Sequence, residues 1–408
     1  MAPADAAGPT VQLLLTSLAG GGAETSTLGL RPALEDRGIR VVLTTLKHEP
    51  GPQPAATPIA AADAGRLARI RGAVRLMRQR QPDLVHTTLF EADLVGRVAA
   101  RRLGLPVVTS LVSTPYDPTV RAHEPVSAWK LEAVRRLDGL LARHATTAFH
   151  AITEVVAQSA VRHLGVPRER IHVVPRGRDP EALGQRTAAR RQAARQRLGV
   201  DPDTPMLVAV GREEPQKNHA LLLRAFAELQ RAHPDAVLVI AGRRGRASAQ
   251  IDDTAADLGL APPVLRRLGA RDDVADLLVA ADVFAFPSRW EGLGGAALEA
   301  MALRAPIVAA DIPAFHEVLD GGRAALLADP DDPHAWSQAL AQALAHGPEI
   351  RERVDHAEAR FHGHYTLARS ADGMAAFDSR VLDEYGAPAR PTRPTRSRRP
   401  PGSRRRTR

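Results

Sequence analysis

Two carboxylates, Glu291 and Glu299, bracket a glycine-rich run in the stretch Phe286–Met301, Phe-Pro-Ser-Arg-Trp-Glu-Gly-Leu-Gly-Gly-Ala-Ala-Leu-Glu-Ala-Met. Asp282–Phe286 before it reads as a short buried strand stopped by Pro287, and Ala296–Leu303 after it as a helix of strong helix formers. A strand, a glycine turn and a helix start aim backbone N–H groups and the positive helix end at an anion. The acids add acceptors for hydroxyl groups, one on the turn and one about two turns into the helix. A ligand with phosphates in its middle and polyols at both ends suits that arrangement, and a nucleotide sugar is such a ligand.

The cations such a ligand needs have a candidate source upstream. A buried strand, Met206–Val210, runs into Gly211-Arg212-Glu213-Glu214-Pro215-Gln216-Lys217-Asn218 and then an amphipathic helix. Arginine supplies nearly all positive charge in this chain, with lysine only at 47, 130 and 217, so Lys217 stands out. Arg212 offers a planar fork to two phosphate oxygens and Lys217 a point charge.

The elements that must position these residues alternate along the whole chain. Strands are expected at Val11–Leu15, Ile39–Thr45, Asp83–His86, Pro106–Leu111, Ala148–Thr153 and Ile171–Val174, with helical patterns between them. Gly20, Gly21 and Gly22 form a turn from the first strand into the first helix, as nucleotide-binding α/β domains begin, or a tight packing turn. Arg66–Arg80 carries Leu67, Ile70, Val74 and Met77 at helical spacing, a stripe expected to face the core. Its many arginines are a solvated face or a contact for anionic headgroups or an anionic acceptor. A proline- and charge-rich stretch follows Pro175, and the alternation then restarts at Met206. The expected fold is α/β, two Rossmann-like domains with mostly parallel sheets facing each other across a cleft. The division is residues 1–178 for an acceptor-side domain, 179–199 for a linker and 200–365 for a nucleotide-sugar domain. A terminal helix over 366–387 and a disordered tail over 388–408 complete it.

Composition narrows the function classes. At 44% hydrophobic and 25% charged residues the chain has the make-up of a soluble globular protein, long enough for two cores. Without cysteine it has no disulfide, thiolate metal site or cysteine nucleophile. No leader-like segment or membrane-length apolar run is seen, and a cytoplasmic protein, with peripheral contact at the inner membrane face, is expected. The net charge of +9 is matched by nine arginines between Arg390 and Arg408, so the remainder is balanced. No aromatics interleave these arginines, which argues against specific nucleic-acid binding and leaves salt-sensitive attraction to phosphates or an anionic membrane.

Most of residues 11–375 resembles the retaining GT-B glycosyltransferases of family 4, with the strongest marks in the second domain. The marks are Val210-Gly211-Arg212 with Lys217-Asn218, Gly269, Asp272-Asp273-Val274, Ala281-Asp282, Pro287 through Met301, Ala305-Pro306-Ile307-Val308-Ala309 and His316-Glu317, with Gly20–Glu24 and Pro82–His86 as looser matches. The resemblance implies that Glu291 lies by the donor sugar and Glu299 holds the nucleotide ribose. It also implies that Gly292, Leu293, Gly294 and Gly295 approach the sugar and phosphates while Arg212 and Lys217 neutralise the diphosphate. Such cations stabilise a leaving group that gains negative charge as the glycosidic bond breaks. Asp201-Pro202-Asp203 and Asp329-Pro330-Asp331 read as turns rather than metal ligands. A metal-independent transfer without a cofactor is expected, from a nucleoside diphosphate-sugar to a sugar, lipid or natural-product acceptor.

One departure touches catalysis. Relatives often carry a histidine just after the strand Pro106–Leu111, where this chain reads Val112-Ser113-Thr114. Ser113 could hydrogen-bond the sugar. The acceptor proton passes either to the departing phosphate oxygen or to His123, if that loop folds back. A nucleotide-sugar epimerase or hydrolase on the same fold, or a non-catalytic nucleotide-sugar binder, is the competing reading.

Overall fold

Apolar runs of four to six residues build two parallel sheets in this computed structural model, which describes residues 8–18, 22–47, 56–59, 65–123 and 125–386. Gly20, Gly21 and the basic tail lie outside those residues. The first sheet comprises β1 (Thr10–Leu15), β2 (Arg40–Thr45), β3 (Thr57–Pro58), β4 (Leu84–Thr88), β5 (Val107–Leu111), β6 (Ala148–Ala151) and β7 (Ile171–Val173). The second comprises β8 (Met206–Val210), β9 (Val237–Ala241), β10 (Leu265–Gly269), β11 (Val283–Phe286), β12 (Ile307–Ala310) and β13 (Leu326–Ala328).

Their orders are β3-β2-β1-β4-β5-β6-β7 and β10-β9-β8-β11-β12-β13, with parallel pairing throughout. Helices cover both faces, so the strands are apolar nearly end to end; Met206, Leu207 and Val208 are fully buried. In each sheet the strand order reverses once, between β1 and β4 and between β8 and β11. Ligands of open parallel sheets bind outside the carboxyl ends of strands at such a reversal. The turns after β8 and β11 are those that carry Lys217 and Glu291.

The stretch expected as a linker is largely helical. Pro180–Leu183 and Ala188–Leu198 are helices, and the latter is fixed to the second domain by Asp282, whose carboxylate takes Arg191 and Arg195 at 2.6 Å each and the Met206 N–H at 2.8 Å. Burial opposes ionisation there, but His346, the Met206 N–H and the two arginines outweigh it and hold the carboxyl well below its usual range. The helix Arg66–Arg80 buries Ile70, Ala73, Leu76 and Met77, while Leu67, expected in the same stripe, is 69% exposed in its first turn.

The last helix, Leu367–Tyr385, returns to the first domain, where Met374, Phe377 and Val381 pack with Val11, Leu13 and Leu34. The chain therefore passes between domains twice, and the two passages bond to each other: Arg178 N–H donates to Tyr365 O at 2.9 Å and Leu367 N–H to Arg178 O at 2.7 Å. Gly177 permits this approach, since a Cβ there would stand 2.1 Å from Thr366 O.

Asp378, on this returning helix, is 1% exposed and neither carboxyl oxygen has a partner among the described residues. Burial pushes its carboxyl up to about 8. Between about pH 4 and pH 8 the unfolded chain releases this proton and the folded chain keeps it, so the contribution to stability present in acid is lost as pH rises through that window. Asp378→Asn should therefore change little at pH 4 and raise the unfolding temperature at pH 8 by about 5 °C or more, as read by thermal unfolding at the two pH values.

Candidate functional site

At the end of β8 the backbone turns through Gly211, whose φ of +155° and missing side chain let the Lys217 stem lie against it; a Cβ would stand 2.9 Å from Lys217 Cδ and Cε. Lys217 closes a short 3-10 turn, Pro215–Lys217. Its Nζ donates to Glu291 Oε1 at 2.5 Å and sits 4.8 Å above the Phe286 ring. Two bonds sew that turn to the acidic loop: Gln216 Nε2 to Trp290 O at 2.8 Å, and Arg289 N–H to Gln216 O at 2.8 Å. Arg212 is exposed, and its guanidinium makes no polar contact among the described residues.

Each glycine after Glu291 has a separate reason. A Cβ on Gly292 would stand 2.3 Å from Val112 O of the first domain, and its own carbonyl accepts from Thr153 Oγ1 at 2.8 Å. Gly294 has φ +81° and lies against the Phe286 and Phe315 rings. Gly295, which starts the helix Gly295–Ala302, has Arg178 Nη2 in the place of a side chain, 2.2 Å from where a Cβ would be. Leu293 is 5% exposed and packs in the core, so what it could offer a ligand is backbone.

Glu299 lies one turn into that helix and accepts from Arg178 Nε at 2.7 Å. Arg178 Nη1 reaches Ser26 Oγ at 3.1 Å, and Ser26 in turn donates to Gly22 O at 2.8 Å. The described end of the first domain's glycine turn is thereby joined through one arginine to the acid of the second domain. Nothing in the sequence singles out Arg178: it stands between Pro175 and Pro180, at the last position of the expected first domain, in a chain where arginine is too common to carry a signal. Glu213 was passed over as well. It is 2% exposed in the turn after β8 and ties Arg267 on β10, at 2.7 and 2.9 Å, to Ser248 at the start of the helix that follows β9. Against burial, the Arg267 and Ser248 hydrogen bonds hold its carboxyl below the usual value.

The first domain contributes fewer charges. Ser113 is exposed beyond β5. His123 Nδ1–H donates to Thr119 O of the short helix before it at 2.8 Å, and its ring lies 5.1 Å from that of Trp290, the neighbour of Glu291, at a tilt of 47°. Three strand ends hold a chain of polar groups, His86 Nε2 with Ser110 Oγ at 2.7 Å, Ser110 Oγ with His150 Nδ1 at 2.8 Å, and His150 Nε2 with Val174 O at 2.8 Å. Burial keeps both rings neutral, lowering His86 well below its ordinary value and His150 to about 4. Among the described residues no cluster of three or more His, Asp or Glu side chains is placed to hold a metal ion. Asp329 instead accepts from the Asp331 N–H at 2.8 Å, as a turn.

Two family models divide the chain between them, Glycosyltransferase Family 4 over residues 20–182 and Glycosyl transferases group 1 over residues 190–360. A D-inositol 3-phosphate glycosyltransferase of Rhodococcus opacus is 32% identical over 325 residues, 75% of this chain and 70% of that protein. The chain belongs to glycosyltransferase family 4. Its relative of the same name in Rhodococcus jostii is 32% identical over 75% of this chain and 69% of its own. Among solved structures, HepE of Anabaena in complex with UDP and glucose superposes with a TM-score of 0.77 at 19% identity, over 91% of this chain and 100% of that one. Sucrose-phosphate synthase of Thermosynechococcus elongatus gives 0.79 at 18%, over 92% and 100%. Both confirm the GT-B fold, and this family 4 member is a glycosyltransferase.

Glu317, a mark of the resemblance, holds the domains together. Its carboxylate accepts the N–H groups of Glu154 and Val155 at 2.7 and 2.9 Å, capping a first-domain helix from the second domain. Glu317→Ala removes that cap and its favourable charge at the helix end, worth about 1 kcal/mol. Unfolding temperature should fall by only about 1–2 °C in a chain of this length, while limited proteolysis should become faster at the loops facing the cleft; unchanged proteolysis would show that this contact does not hold the cleft closed.

Proposed function

We propose that this enzyme transfers a sugar from a nucleoside diphosphate-sugar to an acceptor hydroxyl, with retained anomeric configuration and without a metal ion. One observation carries the reading: two carboxylate–cation pairs, Lys217–Glu291 and Arg178–Glu299, stand at the two ends of one glycine loop at the strand reversal of the second sheet. With no ligand each charge is neutralised by its partner. A nucleotide sugar offers both kinds of group an exchange. Its diphosphate takes the cations, Lys217, Arg178 and the uncommitted Arg212, at the positive end of the helix Gly295–Ala302. Its hydroxyls, on the sugar and on the ribose, take Glu291 and Glu299.

As the glycosidic bond breaks, negative charge gathers on the diphosphate, where fixed cations stabilise it more than they stabilise the ground state. The phosphate oxygen that loses the sugar lies on the face the acceptor approaches, and it takes the acceptor proton. That route asks nothing of His123, whose ring packs at a tilt against Trp290. The solved complexes of HepE contain UDP, glucose and UDP-glucose, which makes uridine diphosphate the first donor nucleotide to try.

Binding to the folded state raises the unfolding temperature by mass action. A thermal-shift series with uridine, guanosine and adenosine diphosphates should give a shift for one of them, retained in EDTA; no shift from any would sink the proposal. Arg178→Gln should weaken the diphosphate about tenfold or more, the cost of a lost charge-assisted hydrogen bond, while leaving the parent nucleoside's affinity unchanged or improved because Glu299 is freed. Glu299→Gln should weaken nucleotide binding, and Glu291→Gln should lower the transfer rate more than nucleotide affinity.

A further inference from the structure

A cavity of about 320 Å³ lies in the first domain between the ends of β4 and β5 and the helices Phe90–Leu103, Ala128–Ala145 and Glu154–Leu164. Its size falls in the lower part of the range for small-molecule sites, roughly 300–1,000 Å³. Leu89, Phe90, Leu111, Val112, Leu131 and Val134 are among the apolar residues of its wall. The cavity adjoins the donor loop through one short segment: residues 110–113 line it, and Val112 O of that segment is the atom pressed against Gly292.

Charge decides what the cavity suits. The cation in its wall, Arg97, is 1% exposed and committed, with Nη1 on Asp138 Oδ1 at 2.6 Å and Nε on Thr109 Oγ1 at 3.2 Å. Asp138 is completed by the Tyr116 hydroxyl at 2.8 Å. That network is closed, and it offers an anion nothing. Asp93, also in the wall, is only 8% exposed, and burial pushes its carboxyl up to about 7, so this wall disfavours a further negative charge.

On the strength of the proposed transfer reaction, we infer that this cavity receives the apolar body of the acceptor, an uncharged alkyl or aryl alcohol. The acceptor's reacting hydroxyl then emerges past Ser113 toward the loop that begins at Gly292. Its chemistry differs from that of an inositol phosphate, the acceptor for which the relatives are named: a phosphate here would meet one committed arginine, two aspartates and aliphatic walls.

The test measures heats of binding to the full chain saturated with UDP, using n-hexyl, n-heptyl and n-octyl β-D-glucoside below their micelle thresholds as neutral probes, and D-inositol 3-phosphate as the charged one. Each added methylene should tighten binding about two- to fourfold, the range expected for burying one CH₂, and D-inositol 3-phosphate should give no heat. Val134→Phe, which fills the cavity from the helix Ala128–Ala145, should abolish the chain-length dependence, whereas Val134→Ala should extend it to longer chains. UDP binding reports folding and the donor site in both variants. With UDP bound, affinity independent of chain length, or a dependence that Val134→Phe leaves intact, overturns this inference and leaves the donor reading standing. A wild type that binds alkyl probes with that dependence but no nucleotide supports the cavity and overturns the donor reading instead.

Discussion

The contact between Arg178 and Glu299 ties the geometry of the cleft to the chemistry of the site. Arg178 lies where the chain leaves the first domain, and its backbone is hydrogen-bonded on both sides to the passage by which the chain comes back. Its side chain spans from Ser26 on the first helix to Glu299 on the donor helix. A cation at the positive end of a short helix is electrostatically unfavourable unless an anion stands beside it. Glu299 is that anion. The pair is thus a domain contact, and in the proposed function the same arginine meets the diphosphate, which would couple relative domain position to nucleotide binding.

The glycine run follows from the same closeness. Gly292 meets first-domain backbone, Gly294 adopts a left-handed conformation against two phenylalanine rings, and Gly295 yields its space to Arg178. Three demands, one steric across the cleft, one conformational and one set by a guanidinium, fall within four residues. A bulkier residue at any of them would move the loop away from its partner, and with it the distance between Glu291 and Glu299. Gly211 and Gly242 extend the constraint into the neighbouring turns. A Cβ on Gly242 would collide with Gly211 O at 1.8 Å, and Gly211 makes room for Lys217.

Much of the fold was legible in the sequence because parallel strands buried on both faces leave continuous apolar runs, as at Met206–Val210 and Val237–Ala241. The pairs that the structure brings together, Lys217 with Glu291 and the glycines with the helix start, were also legible, since each belongs to a turn at a strand end. What escaped was contact between parts distant in sequence. Arg178 and Glu299 are 121 positions apart, and no local pattern marks an arginine in a proline turn as the partner of a helix carboxylate. The destination of the last helix was hidden for the same reason: its amphipathic pattern shows that it buries a face, but not against which domain. Leu67 shows the opposite error, where helical spacing assigned a buried face to a first-turn residue that the core does not reach.

The absent histidine after β5 becomes less of a gap once its surroundings are known. Near the end of β5 stands Ser110 instead, held between His86 and His150 from the strands on either side, and both imidazoles are kept neutral by burial. In the proposed transfer this region presents the sugar with a short, uncharged surface, Val112 and Ser113, rather than with an ionisable ring. On that reading the fixed cations of the donor side stabilise the charge that develops on the diphosphate, and the departing phosphate oxygen, which gains that charge on the face the acceptor approaches, takes the acceptor proton. The rate of the proposed transfer then rests on how rigidly Lys217 and Arg178 are held, and both are fixed at each end: Lys217 by Gly211, Phe286 and Glu291, and Arg178 by Tyr365, Leu367, Ser26 and Glu299.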